Sequence, residues 1–256
     1  DPESFRRAIT PRTRAVVPVH VTGRPADMTA IMAIAREHGI AVVEDAAEGL
    51  MCRNGDRYLG TIGDAGCVSF SPNKSITTGQ GGAVFTDDDD LYARLVELKD
   101  QGRPVRGTGG DDTHHSVGFN LKFTNLQAAV GMAQLTELDA RVQTQRRIYE
   151  VYAEELANLP GIRLPGFDLA GGEVPQWVDA VVEDRDGLPA TGFDTGPRNN
   201  LYSPPFEANV RQPEATKGVS MERESVQVAV RRICGVALCL LVCAAGLGAQ
   251  SFSKIG

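Results

Sequence analysis

Residues 14–45 place two apolar runs on either side of one amphipathic stretch, and few folds accept that order. "RAVVPVHVTG" (14–23) reads as a short buried strand that ends at a glycine turn. In "ADMTAIMAIAREHG" (26–39), Met28, Ile31, Met32 and Ala35 share one helical face. Asp27 is placed to cap that helix and Gly39 to end it. "IAVVED" (40–45) is a second buried strand. A strand–helix–strand unit of about thirty residues joins two parallel strands by a right-handed crossover, so the chain is expected to build an open α/β sheet.

Further elements follow the same logic. "GCVSFS" (66–71) and "GGAVFT" (81–86) are short strands, and "DDDDLYARLVELKDQG" (87–102) is a helix. Its acidic first turn complements the helix dipole, which accounts for the four aspartates without a metal. From 124 to 158 the apolar positions Leu126, Val130, Ala133, Leu135 and Leu138 recur at helical spacing and predict one long helical region. Beyond Pro160 glycine and proline become frequent and periodicity fades. The chain is therefore divided into a large unit over 1–158 and a smaller, partly irregular C-terminal unit over 159–256.

Bulk properties exclude several classes. A hydrophobic content of 42% with 23% charged residues is that of a soluble globular chain. A net charge of -7 argues against a nucleic-acid partner, which calls for a basic face. Five cysteines without a CxxC pair fit a reducing, cytoplasmic setting. His114 and His115 beside Asp111 and Asp112 read as a polar loop, and no metal site is assigned. The first methionine is Met28, so an upstream segment is expected to be missing. "ICGVALCLLVCAAGLGA" (233–249) falls slightly short of the ~20 apolar residues that span a bilayer. It reads as a buried terminal helix, with a membrane anchor as the alternative.

Ligands of open α/β sheets sit beyond the carboxyl ends of the strands. Asp45 closes one strand, and Lys74 follows Phe70 of another by four residues. The two could form a plain buried ion pair. They also have the chemistry for a larger task. An amine on a flexible stem forms a Schiff base with a carbonyl, and a carboxylate beside a pyridine nitrogen makes that ring an electron sink. Ser69 and Ser71 suit phosphate contacts, and the glycines after Lys74 are expected to turn the chain tightly beside a bulky cofactor.

Three segments in order, "EDAAE" (44–48), "GDAGCVSFSPNKSITTGQGGAVFT" (63–86) and "GFNLKFTNLQAAVGMAQL" (118–135), resemble the DegT-type sugar aminotransferases, nearest to their perosamine synthase branch. The resemblance covers roughly 8–160 and implies an aspartate-aminotransferase-like fold (pyridoxal-phosphate-dependent transferase type I). The 1–158 unit would then be a partial cofactor-binding domain with a mainly parallel sheet. The implied activity moves an amino group, usually from glutamate, onto a keto group of a nucleotide-linked deoxysugar. The cofactor implied is pyridoxal 5'-phosphate. Lys74 matches the lysine that forms the Schiff base and carries the proton to and from the substrate carbon. Asp45 matches the carboxylate on the pyridine nitrogen, Glu48 a residue near the ring hydroxyl, and Ser69 a phosphate-contacting serine. Asn120 matches an asparagine that reaches the cofactor phosphate of the neighbouring subunit, which implies a homodimer built through the helices after Thr124.

The resemblance has limits. The family's N-terminal phosphate loop at a helix start has no match. Lys122 stands where many members have arginine, turning a two-point contact into a point charge. From about 190 the chain diverges. A truncated, non-catalytic family remnant that acts as a folding or interaction module is the competing reading. A sugar dehydratase of the same family is a further one, though there histidine replaces the lysine. A nucleotide-binding reading of the glycine runs lacks the required spacing.

Overall fold

The computed structural model describes residues 1–103 and 112–183. Helix α1 (Pro2–Ala8) starts under the Asp1 side chain, which accepts the Glu3 N–H. Strand β1 (Ala15–Val16) precedes helix α2 (Met28–His38) and strand β2 (Ala41–Asp45). The expected punctuation of α2 is present: the Asp27 side chain accepts the Ala30 N–H, and Gly39 closes the helix at φ 61°. A small antiparallel pair follows, β3 (Arg53–Asn54) with β4 (Arg57–Tyr58). Strand β5 (Ala65–Ser69) and strand β6 (Gly82–Phe85) flank the Lys74 loop. The four-stranded sheet has the order β1-β2-β5-β6, with the first two pairings parallel and the last antiparallel.

The pleat gives this sheet two unlike faces. On one, Val16 and Val42 pack with Met28, Ala35 and Ile40 of the α2 region. On the other, register places Val19, Asp45, Cys67 and Val84 side by side. The expectation that 14–23 is a buried strand needs correction here. Only Ala15 and Val16 are strand, and Val17, Val19 and Val21 are 58%, 48% and 53% exposed. Pro18 has no N–H to extend the ladder, although its carbonyl still accepts the Asp45 N–H. The apolar run is thus half-buried: His20 points into the core while the valines line an open face.

Helix α3 (Asp89–Lys99) starts under the Asp88 side chain, and acidic residues occupy its first turn. The long helical region is two helices, α4 (Asn125–Thr136) and α5 (Leu138–Leu156). Their break at Glu137 (φ -101°, ψ 3°) re-aims the chain so that Leu138 and Val142 enter the core against Phe70 and Ile76. A capping box of Thr124 and Gln127 opens α4.

Strands β7 (Ile162–Arg163) and β8 (Val181–Val182) pair antiparallel. Between them the segment 172–177 crosses the ends of the main sheet. The Gly172 carbonyl accepts the Arg53 N–H, Cys52 Sγ lies 3.5 Å from the Val174 carbonyl, and the Gln176 N–H donates to Thr22 at 2.9 Å. The close approach needs Gly23: a Cβ there would lie 2.0 Å from the Val174 carbonyl oxygen. The 233–249 run and the divergent stretch after 190 lie outside the described residues. Among those described, no helix is long and apolar enough to cross a membrane.

Candidate active site

Lys74 sits in the loop between β5 and β6, where a turn closed by its own N–H to the Ser71 carbonyl lifts it off the strand end. Its side chain is 11% exposed, with Nζ 3.7 Å from Glu48 Oε1. At that distance the two are an ion pair without a hydrogen bond. Nζ also lies 4.5 Å from the centroid of the Trp177 ring. The other Glu48 oxygen accepts the Thr22 N–H at 2.6 Å, so the carboxylate is fixed at one end and faces the amine with the other.

Asp45 ends β2 on the open face. Its Oδ1 accepts the Ala47 N–H at 3.1 Å, and Oδ2 takes no hydrogen bond from the described residues. Ser69 is on the same face, and its hydroxyl lies 3.1 Å from that of Ser71. A carboxylate, an amine and a pair of hydroxyls at neighbouring strand ends form a donor set that suits a ligand with a basic ring nitrogen, a carbonyl and an anionic arm. Pyridoxal phosphate is such a ligand, and the residues present fit it. Next to Asp45, the Cys67 thiol is held above its usual range by burial and by the carboxylate charge.

The structure joins Lys74 with Glu48 and sets Asp45 and Ser69 on one sheet face. Asn120 stands apart. It is exposed and bridged to Asp100 at the end of α3. Lys122 pairs with buried Asp100.

Of the glycines after Lys74, Gly79 turns the chain at φ 80° with open space about it, as expected, while the next two pack against protein. Gly81 has φ 138°, and a Cβ on it would meet the Phe123 ring at 2.7 Å, while one on Gly82 would meet the Val68 carbonyl oxygen at 2.5 Å. They bring β6 tight against β5 and the start of α4, and the room they make is for protein.

Sequence reasoning also passed over the groups behind the site. Glu44 and His20 are both fully buried, with His20 Nε2 2.9 Å from Glu44 Oε2. His20 Nδ1 accepts the Ala26 N–H, which places the ring hydrogen on Nε2. Glu44 also accepts the N–H groups of Gly60, Ile62 and Gly63. Burial alone would raise its pKa; the His20 and backbone donors outweigh burial and hold it below its usual range. Trp177 was missed as well. It is the chain's one tryptophan, but nothing in a stretch poor in periodicity ties it to Lys74.

A mostly parallel sheet with a lysine after β5 and an aspartate closing β2 is the arrangement of fold-type-I pyridoxal-phosphate-dependent transferases. The chain belongs to the DegT/DnrJ/EryC1/StrS aminotransferase family, whose profile matches residues 1–182. It is 40% identical over 206 residues to a GDP-perosamine synthase of Caulobacter vibrioides, covering 73% of this chain and 53% of that one. It is 38% identical to a dTDP-3-amino-3,4,6-trideoxy-alpha-D-glucose transaminase of Streptomyces venezuelae, over 76% of this chain and 52% of the relative. Among solved structures, DesI in the presence of its TDP-sugar product aligns with a TM-score of 0.63 at 35% identity, over 72% of this chain and 45% of that one. The chain thus spans about half the length of the curated relatives it matches.

Proposed function

We propose that this chain carries the amine-bearing part of the active site of a pyridoxal-phosphate-dependent aminotransferase acting on a nucleotide-linked keto-deoxysugar, with glutamate as the amino donor. The observation that carries it is the Lys74 amine, nearly buried, 3.7 Å from Glu48 at the strand ends where Asp45 and Ser69 also lie. When bound, the cofactor supplies an aldehyde that takes the amine and a ring that accepts an electron pair. Lys74 attaches the cofactor and moves the proton at the substrate carbon. Asp45, with one oxygen that takes no hydrogen bond from the described residues, would hold the ring nitrogen's proton. Glu48 faces the amine and would stand near the ring hydroxyl, and Ser69 with Ser71 would hold the phosphate. Relatives named for GDP- and dTDP-linked sugars support the substrate class. In this reading 1–158 is the cofactor-binding unit and 159–256 the smaller one, which lends 172–177 to the site.

The homodimer has support from the surface. Val117, Phe119 and Leu121 alternate along an extended segment and are 84%, 60% and 68% exposed, and Leu126 beside them is 81% exposed. Exposed apolar side chains this close together support an interface, and Asn120 lies in the same segment, alternating to its other side.

The test is to add pyridoxal phosphate to the purified chain, reduce with borohydride and map the label by mass spectrometry. The expected result is one label, on Lys74, and none in Lys74→Ala. The half-open sheet face, with Val17, Val19 and Val21 exposed, favours the non-catalytic module as the second reading. Absent or scattered labelling would select it.

A further inference from the structure

A lysine that must meet a carbonyl has to hold a flexible four-carbon stem in one geometry, and among the described residues no hydrogen bond does so. Glu48 is within ion-pair range at 3.7 Å but beyond hydrogen-bonding reach. The second contact is the face of Trp177, 4.5 Å from Nζ. A cation over an indole is attracted to the ring but slides easily along it, so each contact alone is loose. Together they define a corner.

That corner is tied to the fold at Thr22, a buried residue in the left-handed region at φ 57°. Its N–H donates to Glu48 Oε2 at 2.6 Å, and its carbonyl accepts the N–H of Gln176, the residue before Trp177, at 2.9 Å. Gln176 is buried, and its side chain meets the Lys74 loop itself: Ser75 Oγ at 3.2 Å, and the Asn73 carbonyl at 3.4 Å from Nε2. One strained residue therefore fixes both walls of the corner, and the loop that carries the amine is bonded to the segment that carries the indole.

We infer that Trp177 is a positioning residue for Lys74. Its ring and the Glu48 carboxylate hold the amine, oriented to meet the cofactor carbonyl and free to leave, because no hydrogen bond to the described residues must break. This rests on the reading of Lys74 as the cofactor-bearing residue.

Two readouts test it. The chain has five lysines, so ¹³C reductive dimethylation of the cofactor-free protein gives a simple spectrum in which Lys74→Ala identifies the Lys74 signal. That signal is expected upfield, shifted by the indole ring, and to move to the random-coil position in Trp177→Leu while the other four stay. Trp177→Phe restores most of the shift. In the second readout, pyridoxal phosphate and borohydride are applied for short times. The rate of Lys74 labelling should fall about fivefold in Trp177→Leu and stay within about twofold in Trp177→Phe. Parent and Trp177→Leu chains that label Lys74 at the same rate would overturn the role of Trp177 while leaving the cofactor reading intact. A parent that never labels Lys74 sinks the cofactor reading and this inference with it. A Lys74 signal indifferent to Trp177→Leu refutes the contact whatever the labelling shows.

Discussion

Glu44 and Asp45 are neighbours in one strand, and the pleat sends them to opposite faces with opposite fates. Asp45 reaches the open face with one oxygen that takes no hydrogen bond from the described residues. Glu44 is fully buried and accepts from four donors, His20 and the N–H groups of Gly60, Ile62 and Gly63. A glutamine there offers one acceptor oxygen and turns an NH₂ toward N–H groups, so Glu44→Gln should lose about 3 kcal/mol of stability, read from the urea midpoint. The charge also sets a pH dependence. Folding lowers the Glu44 pKa from its ordinary 4.5, so as pH falls the unfolded chain takes up that proton first. Its contribution is complete above 4.5 and is lost as pH falls through the folded value. Parent stability should drop over that acid range and the variant's should drop less; parallel curves would show that Glu44 does not carry the effect. The sequence marks Asp45 and Lys74 by chemistry and strand position alone. It does not mark Glu44, because a carboxylate's burial depends on donors that come from other loops.

At the scale of elements, caps were legible because they are local. Asp27 and Gly39, read as the cap and stop of α2, act within four residues of the ends they serve; Asp88 and Thr124, not read as caps, do the same. The break at Glu137 was not legible: apolar spacing runs through it, and no proline or glycine marks it. What decides it is the core, which takes Leu138 at 2% exposure. Leu138→Ala should therefore cost about 3 kcal/mol and leave a cavity beside Phe70 and Ile76, measured by thermal or urea unfolding. A loss under about 1 kcal/mol would mean that α5 relaxes into the gap and that its placement does not depend on this contact. The exposed valines of 14–23 escaped reading for the same kind of reason. An apolar run states that cover is wanted, not which residues supply it, and the described residues of this chain cover only one face of β1.

At the scale of the whole molecule, Asn120 poses the remaining problem: it matches a cofactor-contacting residue of the family, yet it lies exposed in the segment of Val117, Phe119 and Leu121 and is bridged to Asp100. Two copies pairing through Val117, Phe119 and Leu121 would let each Asn120 serve the other's site. Phe119→Asp places a charge in that row and should shift the protein to monomer in sedimentation velocity, with folding intact, because the residue is 60% exposed. The crossed test is sharper. Lys74→Ala chains keep Asn120 but take no label, and Asn120→Ala chains keep Lys74 but lack the partner's contribution. Mixed in equal amounts and allowed to exchange, half of the dimers are hybrids with one complete site each, so labelling should rise to about a quarter of the parent's plus about a quarter of the weak background that Asn120→Ala shows alone. Labelling that stays at half that background, the value for simple dilution, would place Asn120 in its own chain's site or in none.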